Sequence, residues 1–173
     1  MRSVSAWLLV SMVTAACGGD GEPGDADLAA LKVRNLATPA PGLLTSGQPD
    51  VVQFEQLARL GVDRIVCLRP ADEPGTGWEE EKAKELGITF VRLPISGPGD
   101  VSEANARKLA AAMGDGSGTT MVACGSSNRV GALLALKAFH VDRKPADEAL
   151  AFGKRAGLSQ LTARVEELLQ QQR

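Results

Sequence analysis

Histidine and aromatic residues are scarce in this chain, which has one histidine, no tyrosine and 3% aromatic residues among its 173 positions. The single histidine, His140, has no partner at a spacing typical of zinc sites, and no glycine-rich nucleotide motif is present. A cysteine–histidine protease is also excluded, because a helix that runs from Arg129 would carry His140 roughly 16 Å along its axis. We therefore predict that the protein uses no metal and no cofactor.

A basic excess is absent as well. The 19 Lys and Arg residues against 21 Asp and Glu residues give a formal net charge of −2. Nucleic-acid-binding domains usually carry a strong basic excess, so we predict no nucleic-acid partner. The length is typical of one domain with a substantial core. Because aromatics are few, that core must consist mainly of leucine, valine, isoleucine and alanine.

The N-terminal segment has the pattern of an export signal. Arg2 is followed by an apolar stretch over 6–13 and by small residues before Cys17, an order that resembles a bacterial lipoprotein signal. The resemblance implies that residues 1–16 are a signal peptide, that Cys17 carries the lipid, and that a flexible linker over 17–30 precedes one domain over 31–173. It also implies an exported protein, lipid-anchored to a bacterial membrane on its periplasmic or outer-surface side.

The most informative stretch surrounds Cys124. An apolar run over 119–123 predicts a buried strand and residues 130–139 predict a helix, so a short loop with one glycine and two serines joins them. Backbone N–H groups of such a loop can converge on an anion and favour the thiolate of Cys124, the nucleophilic form. The Arg129 guanidinium can hold two phosphate oxygens. The predicted phosphate-binding residues are Gly125, Ser126, Ser127, Asn128, Arg129 and Arg69.

Strands and helices alternate along the rest of the chain. Apolar runs predict further strands over 32–36, 43–46, 62–68 and 88–93, with helical stretches between and after them. The alternation predicts an α/β fold with a mostly parallel central sheet of four to five strands flanked by helices. Sites in such sheets lie beyond the C-terminal strand ends, where Cys124, Arg69 and the loop over 96–100 should meet.

Four segments occur in an order shared with one family: Ser-Gly-Gln-Pro at 46–49, a Leu-Arg-Pro segment at 66–70, the strand at 90–95, and the Cys-x4-Arg loop. They resemble bacterial tyrosine and dual-specificity-phosphatase-like domains, including the phosphatase-like part of beta-lactamase-hydrolase-like proteins. The resemblance covers about residues 32–140. It implies a compact three-layer fold and hydrolysis of a phosphomonoester, on a small molecule or a phosphoprotein, through a phosphocysteine. Cys124 would be the nucleophile and Arg129 would clamp the phosphate.

Several positions depart from the family pattern. Ala123 stands where such loops usually have histidine, and Val130 stands where many have a hydroxyl residue, for which Ser126 or Ser127 is a substitute candidate. Familiar phosphatases also place five residues between cysteine and arginine, whereas this chain has four. Two alternatives therefore stay open: a rhodanese-like sulfurtransferase, where four-residue spacing is typical, and a catalytically degraded domain that only binds anions.

A phosphatase also needs a general acid to protonate the leaving alkoxide. The family usually has an aspartate on the loop after the strand that corresponds to 90–93, but the nearest positions here are serine and glycine. Asp100 and Asp72 are the predicted candidates, with Glu73 as a further alternative. Asp100 is interpreted equally well as the cap of the following helix. Arg69 would orient one of these carboxylates or add positive charge to the pocket.

The third cysteine, Cys67, lies in the predicted strand over 62–68. It is interpreted as a small core residue. A disulfide with Cys124 stays open, because exported proteins can form such bonds. The bond requires that the strands carrying the two cysteines be neighbours in the sheet.

Overall fold

The computed structural model describes residues 25–171. The predicted signal peptide, Cys17 and residues 17–24 of the predicted linker lie outside this range. The remaining linker residues form a helix, α1 (Asp25–Ala30), and Leu28 on this helix packs into the hydrophobic core. Among the described residues, no helix combines the length and the apolar character needed to cross a bilayer.

A five-stranded sheet forms the centre of the domain. The strands lie in the order β1-β2-β5-β3-β4, where β1 is antiparallel to β2 and the other neighbours are parallel. The predicted α/β class and mostly parallel sheet are confirmed. The central strand is buried at every position, as its apolar run predicts. The strands are β1 (Ala37–Ala40), β2 (Leu43–Ser46), β3 (Val62–Cys67), β4 (Thr89–Arg92) and β5 (Thr119–Ala123).

Helices cover both faces of the sheet and complete three layers. Side chains alternate along β5, so that Met121 packs with α1, α2 and α3 while Val122 packs with α4 and α5. The last two helices, α6 and α7, pack against α5. The helices after α1 are α2 (Val51–Arg59), α3 (Glu79–Glu85), α4 (Glu103–Met113), α5 (Asn128–His140), α6 (Ala146–Arg155) and α7 (Thr162–Gln170).

Two local predictions are wrong. The strand predicted over 32–36 forms instead at β1, because the first strand is defined by its antiparallel pairing with β2 across a tight turn rather than by its own apolar residues. Asp100 does not cap α4. It ends a short 3-10 turn (Pro98–Asp100), and the hydroxyl of Ser102 caps the helix by accepting the N–H of Asn105 at 3.3 Å.

Candidate active site

Four parallel strands end at the same edge of the sheet. Ala123 at the end of β5 pairs with Ser46 of β2 on one side and with Cys67 of β3 on the other, and Cys67 in turn pairs with Arg92 of β4. The loop that begins at Cys124 therefore lies between the segments that follow β2 and β3. This is the edge at which the sequence predicts the site.

Cys124 is enclosed where β5 turns into α5. Its N–H donates to the Ser46 carbonyl at 3.2 Å, and the residue has no exposed surface. Among the described residues, the N–H groups of Gly125, Asn128 and Arg129 have no hydrogen-bond acceptor. Unpaired N–H groups at a helix start carry partial positive charge and are suited to bind an anion.

The Ser-Gly-Gln-Pro segment supports this loop from the β2 side. A Cβ atom at Gly47 would lie 3.1 Å from the Arg34 carbonyl oxygen and 3.2 Å from the Gly125 carbonyl oxygen, so glycine permits the close approach of the backbones. Asn35 adds a bond from its Nδ2 to the Ser126 carbonyl at 2.9 Å. The loop is therefore held from outside by Gly47 of the motif, through close backbone approach, and by Asn35, through a hydrogen bond.

The chain between α6 and α7 supports the loop from the other side. The Ser127 hydroxyl donates to the Ala156 carbonyl at 2.9 Å, and Asn128 Oδ1 accepts the N–H groups of Ser159 at 2.9 Å and Leu161 at 3.2 Å. Ser127 has a left-handed backbone conformation, with φ of 65°. Contacts of these two residues with an anion would therefore come from the backbone, and the Ser127 hydroxyl is already engaged.

The Arg129 guanidinium is paired with a carboxylate. Its Nη1 lies 2.5 Å from Glu73 Oε1 and its Nη2 lies 3.1 Å from Glu73 Oε2, while Nη1 also donates to the Ile95 carbonyl at 2.6 Å. Arg69 Nε donates to the same Glu73 carboxylate at 2.7 Å. The two arginines predicted for the site thus meet at one carboxylate, and Arg69 does orient it.

Charge coupling links these groups to the cysteine. The hydrogen bond from Arg129, and then the one from Arg69, hold the pKa of Glu73 below its usual value, so this carboxyl group stays ionised. The pKa of Arg129 is raised, first by its hydrogen bond to Glu73 and also by the negative charge of a Cys124 thiolate. Arg129 is therefore coupled electrostatically to both Glu73 and Cys124.

The candidate acids differ in their surroundings. Asp100 Oδ2 accepts the N–H of Ser96 at 2.7 Å. Ser96 directly follows Ile95, whose carbonyl accepts a hydrogen bond from Arg129. Asp72 is exposed on the loop after β3. Within residues 25–171, neither carboxylate is hydrogen-bonded to Arg129. The same residues contain no group of three or more His, Cys, Asp or Glu side chains that could hold a metal ion.

A second charged cluster lies beside the first, at the ends of β3 and β4. Arg92 donates through Nη1 to Cys67 Sγ at 3.7 Å and through Nη2 to Glu79 Oε2 at 3.0 Å. Glu79 is completely buried and also accepts the N–H of Gly77 at 2.7 Å and Nε2 of Gln48 at 3.2 Å. Burial raises the pKa of the Cys67 thiol above its usual range. Cys67 and Cys124 are both free cysteines.

Arg92 and Glu79 stand outside the residues that the sequence predicts for the site. The available signal was the position of Arg92, a charged residue within a strand that is otherwise largely apolar. A buried charge of this kind needs a partner. Nothing local distinguishes Glu79 from the two glutamates that follow it.

The fold and the cysteine loop after β5 together define a structural class. A three-layer α/β domain, whose central parallel strand ends in a cysteine loop before a helix, has the phosphatase-like fold, and comparison with solved structures confirms the predicted resemblance. A structure from Neisseria meningitidis, provisionally named a phosphatase, matches with a TM-score of 0.64 and 20% identity over 78% of this chain and 98% of that chain. Pseudomonas aeruginosa TpbA, as a cysteine-to-serine variant in complex with phosphotyrosine, matches with a TM-score of 0.55 and 20% identity over 78% of this chain and 82% of that chain.

A curated sequence relative is the beta-lactamase hydrolase-like protein of Xylella fastidiosa, which is 32% identical over 119 residues. This match covers 66% of the present chain and 27% of the relative, so the shared region spans about a quarter of the relative's length. No family model matches the chain. The chain is thus similar in sequence to part of a larger protein, and it has the fold of the phosphatase-like structures.

Proposed function

We propose that this domain is a cysteine-dependent phosphatase that hydrolyses a phosphomonoester through a phosphocysteine intermediate. The observation that carries the proposal is the setting of Cys124, which is buried at the end of the central strand, beside unpaired N–H groups and the Arg129 guanidinium. Preorganised donors of this kind stabilise charge that develops on a phosphoryl group without reorganisation during the reaction.

The reaction has two displacements. The Cys124 thiolate attacks phosphorus, so that an S–P bond forms as the P–O bond to the substrate's alkoxide breaks, and a general acid gives the alkoxide a proton. Water then attacks the phosphocysteine and gives its proton to the carboxylate that the general acid has become, the S–P bond breaks, and inorganic phosphate and the thiolate are released. Arg129 and the free N–H groups would hold the phosphoryl oxygens in both steps.

For the general acid we propose Asp100, because its loop borders Arg129 through the Ile95 carbonyl. Glu73 is less suitable, since its lowered pKa keeps it ionised at neutral pH. An Asp100→Asn variant should lose activity mainly on alkyl phosphates, whose leaving groups need a proton, and much less on p-nitrophenyl phosphate. Equal losses on both substrates would contradict this assignment.

The proposal is tested by hydrolysis of p-nitrophenyl phosphate by the purified protein. A Cys124→Ser variant should fall to background, a loss of about a thousandfold or more in kcat, whereas a Cys67→Ser variant should retain activity. Thiosulfate-to-cyanide transfer, measured in parallel, would indicate a sulfurtransferase if it were present without phosphate hydrolysis.

A second candidate function is anion binding without catalysis. It is favoured by the Ser127 hydroxyl, which is engaged with the Ala156 carbonyl and so is not available to replace the hydroxyl residue that many such loops carry at Val130. Binding of inorganic phosphate without hydrolysis of any phosphomonoester would support this alternative.

For the substrate we propose a phosphorylated small molecule or a phosphoprotein; the phosphotyrosine complex of TpbA supports the second. We further propose that the protein is exported and anchored to a bacterial membrane through a lipid on Cys17, on the strength of the N-terminal pattern. A Cys17→Ser variant should move from the membrane fraction to the soluble fraction of a bacterial cell. A variant that stays with the membrane would contradict the anchor.

A further inference from the structure

We propose that Glu73 is an internal ligand of the Arg129 guanidinium that competes with phosphate and so sets the affinity of the site for oxyanions. The inference rests on the proposed function, because it concerns the same anion site. It assigns to the loop after β3 a role that the reaction itself does not require.

The geometry of the pair is that of a bound oxyanion. Each guanidinium Nη atom donates to one carboxylate oxygen of Glu73, Nη1 to Oε1 at 2.5 Å and Nη2 to Oε2 at 3.1 Å. Arginine binds carboxylates and phosphates with the same paired N–H donors. A phosphate therefore cannot take this Nη1–Nη2 edge of Arg129 until Glu73 leaves it.

Glu73 is able to leave Arg129 without disturbing the core. Its side chain is 27% exposed and lies on the loop after β3, whereas Cys124 has no exposed surface. A substrate phosphorus atom must come within bonding distance of the sulfur, so access to Cys124 requires movement around the loop.

Arg69 offers Glu73 a second position. Arg69 Nε donates to Glu73 Oε2 at 2.7 Å, so the carboxylate can release Arg129 and still keep one charged partner. The turn itself need not unfold, since the Thr76 hydroxyl lies within hydrogen-bond distance of the Ala71 and Glu73 carbonyls, and the N–H of Thr76 donates to the Glu73 carbonyl at 3.2 Å. A change confined to the Glu73 side chain is sufficient to free Arg129.

The consequence for affinity follows from competition. If Arg129 is free in a fraction f of the molecules, the apparent Kd for phosphate is the intrinsic Kd divided by f. A site that is free about 10% of the time binds phosphate about tenfold more weakly than a site without the competitor. Glu73 would thus exclude weak anions while a well-fitted substrate could displace it.

The test is calorimetric titration of inorganic phosphate into the full chain and two variants. Glu73→Gln removes the competing charge and should lower the Kd for phosphate roughly tenfold. Glu80→Gln is the matched control: Glu80 is also a carboxylate paired with an arginine, Arg92, at 2.5 Å, and its loss changes the net charge equally. Its Kd should stay within about twofold of that of the unsubstituted chain.

Glu73→Ala provides a second variant and should tighten phosphate binding as Glu73→Gln does. Unchanged or weaker binding in both Glu73 variants, with binding retained in the unsubstituted chain, would overturn the competitor role and leave the proposed function standing. Weaker binding would mean that Glu73 positions Arg129 instead. If none of the proteins bound phosphate at millimolar concentration, both the inference and the proposed function would fail.

Discussion

Two neighbouring strand ends carry the same three kinds of side chain. At the end of β5, Cys124 lies beside Arg129, which is paired with Glu73. At the ends of β3 and β4, Cys67 lies beside Arg92, which is paired with Glu79. We call these the β5 set (Cys124, Arg129, Glu73) and the β3 set (Cys67, Arg92, Glu79). Both cysteines are buried.

The two sets differ in backbone and in exposure. Cys67 belongs to a strand that is paired on both sides, whereas Cys124 begins a loop in which several N–H groups lack acceptors among the described residues. Glu79 is completely buried, and Glu73 is partly exposed on a loop. The same kinds of side chain therefore form a fixed support at one strand end and the proposed anion site at the other, because the backbone decides which N–H donors are free.

The largest effect should come from the buried carboxylate. Replacing Glu79 by Ala removes the buried one of the two carboxylate partners of Arg92 and also leaves Gln48 Nε2 and the Gly77 N–H without their acceptor, and the loss of one member of a buried pair costs about 3–5 kcal/mol. We expect a decrease of this size in the free energy of unfolding, measured by urea denaturation. Glu80→Ala removes a half-exposed partner of the same arginine and should cost about 1 kcal/mol or less. Equal losses of unfolding free energy in the two variants would mean that the burial of Glu79 does not increase its contribution to stability.

The second effect concerns the reactivity of the two thiols. Burial raises the pKa of Cys67 and keeps it protonated, whereas Cys124 lies beside loop N–H groups and the Arg129 guanidinium, which can hold negative charge. Iodoacetamide at neutral pH should therefore alkylate Cys124 faster than Cys67, as measured by peptide mass spectrometry. Inorganic phosphate should protect Cys124 only. Faster labelling of Cys67 would mean that the reactive cysteine belongs to the β3 set and not to the β5 set.

The difference between the two sets also shows what the sequence can predict. The apolar runs predict β2, β3 and β5 well, because burial of a strand leaves a local pattern. The cysteine loop is equally visible, since its residues are contiguous. The position of β1 was missed because an edge strand depends on its pairing partner more than on its own residues.

Pairings between distant residues are not visible in this way. Arg129 and Glu73 are 56 residues apart, and a carboxylate in a turn is usually solvated. Glu79 begins a helix with three successive glutamates, of which only it is fully buried. Its partners Gln48 and Arg92 come from two other segments, so only the folded chain brings them together. The same applies to Ser102, which caps α4 in place of the predicted Asp100.

The third effect is the small contribution of Glu73 to the stability of the fold, as distinct from its effect on phosphate binding. Because Glu73 is partly exposed and its arginines keep other partners, Glu73→Ala should lower the free energy of unfolding by about 1 kcal/mol or less. Urea denaturation of this variant beside Glu79→Ala measures the contrast between the two sets directly. A loss as large as that of Glu79→Ala would mean that the β5 set, like the β3 set, is a structural support.

The smallest effect is the pH dependence of that contribution. The pKa of Glu73 in the folded protein lies below the usual value of 4.5, so the unfolded chain binds its proton at higher pH than the folded chain does. The stabilisation is fully present above about pH 5 and is lost as the pH falls through the folded pKa. The difference in unfolding free energy between the unsubstituted chain and Glu73→Gln should therefore be constant near neutral pH and shrink below about pH 4.5. Urea denaturation at several pH values measures it. A difference that grew on acidification would mean that Arg129 and Arg69 do not stabilise the ionised form of Glu73. The contrast between this ion pair and the buried pair of Glu79 and Arg92 would then have no electrostatic explanation.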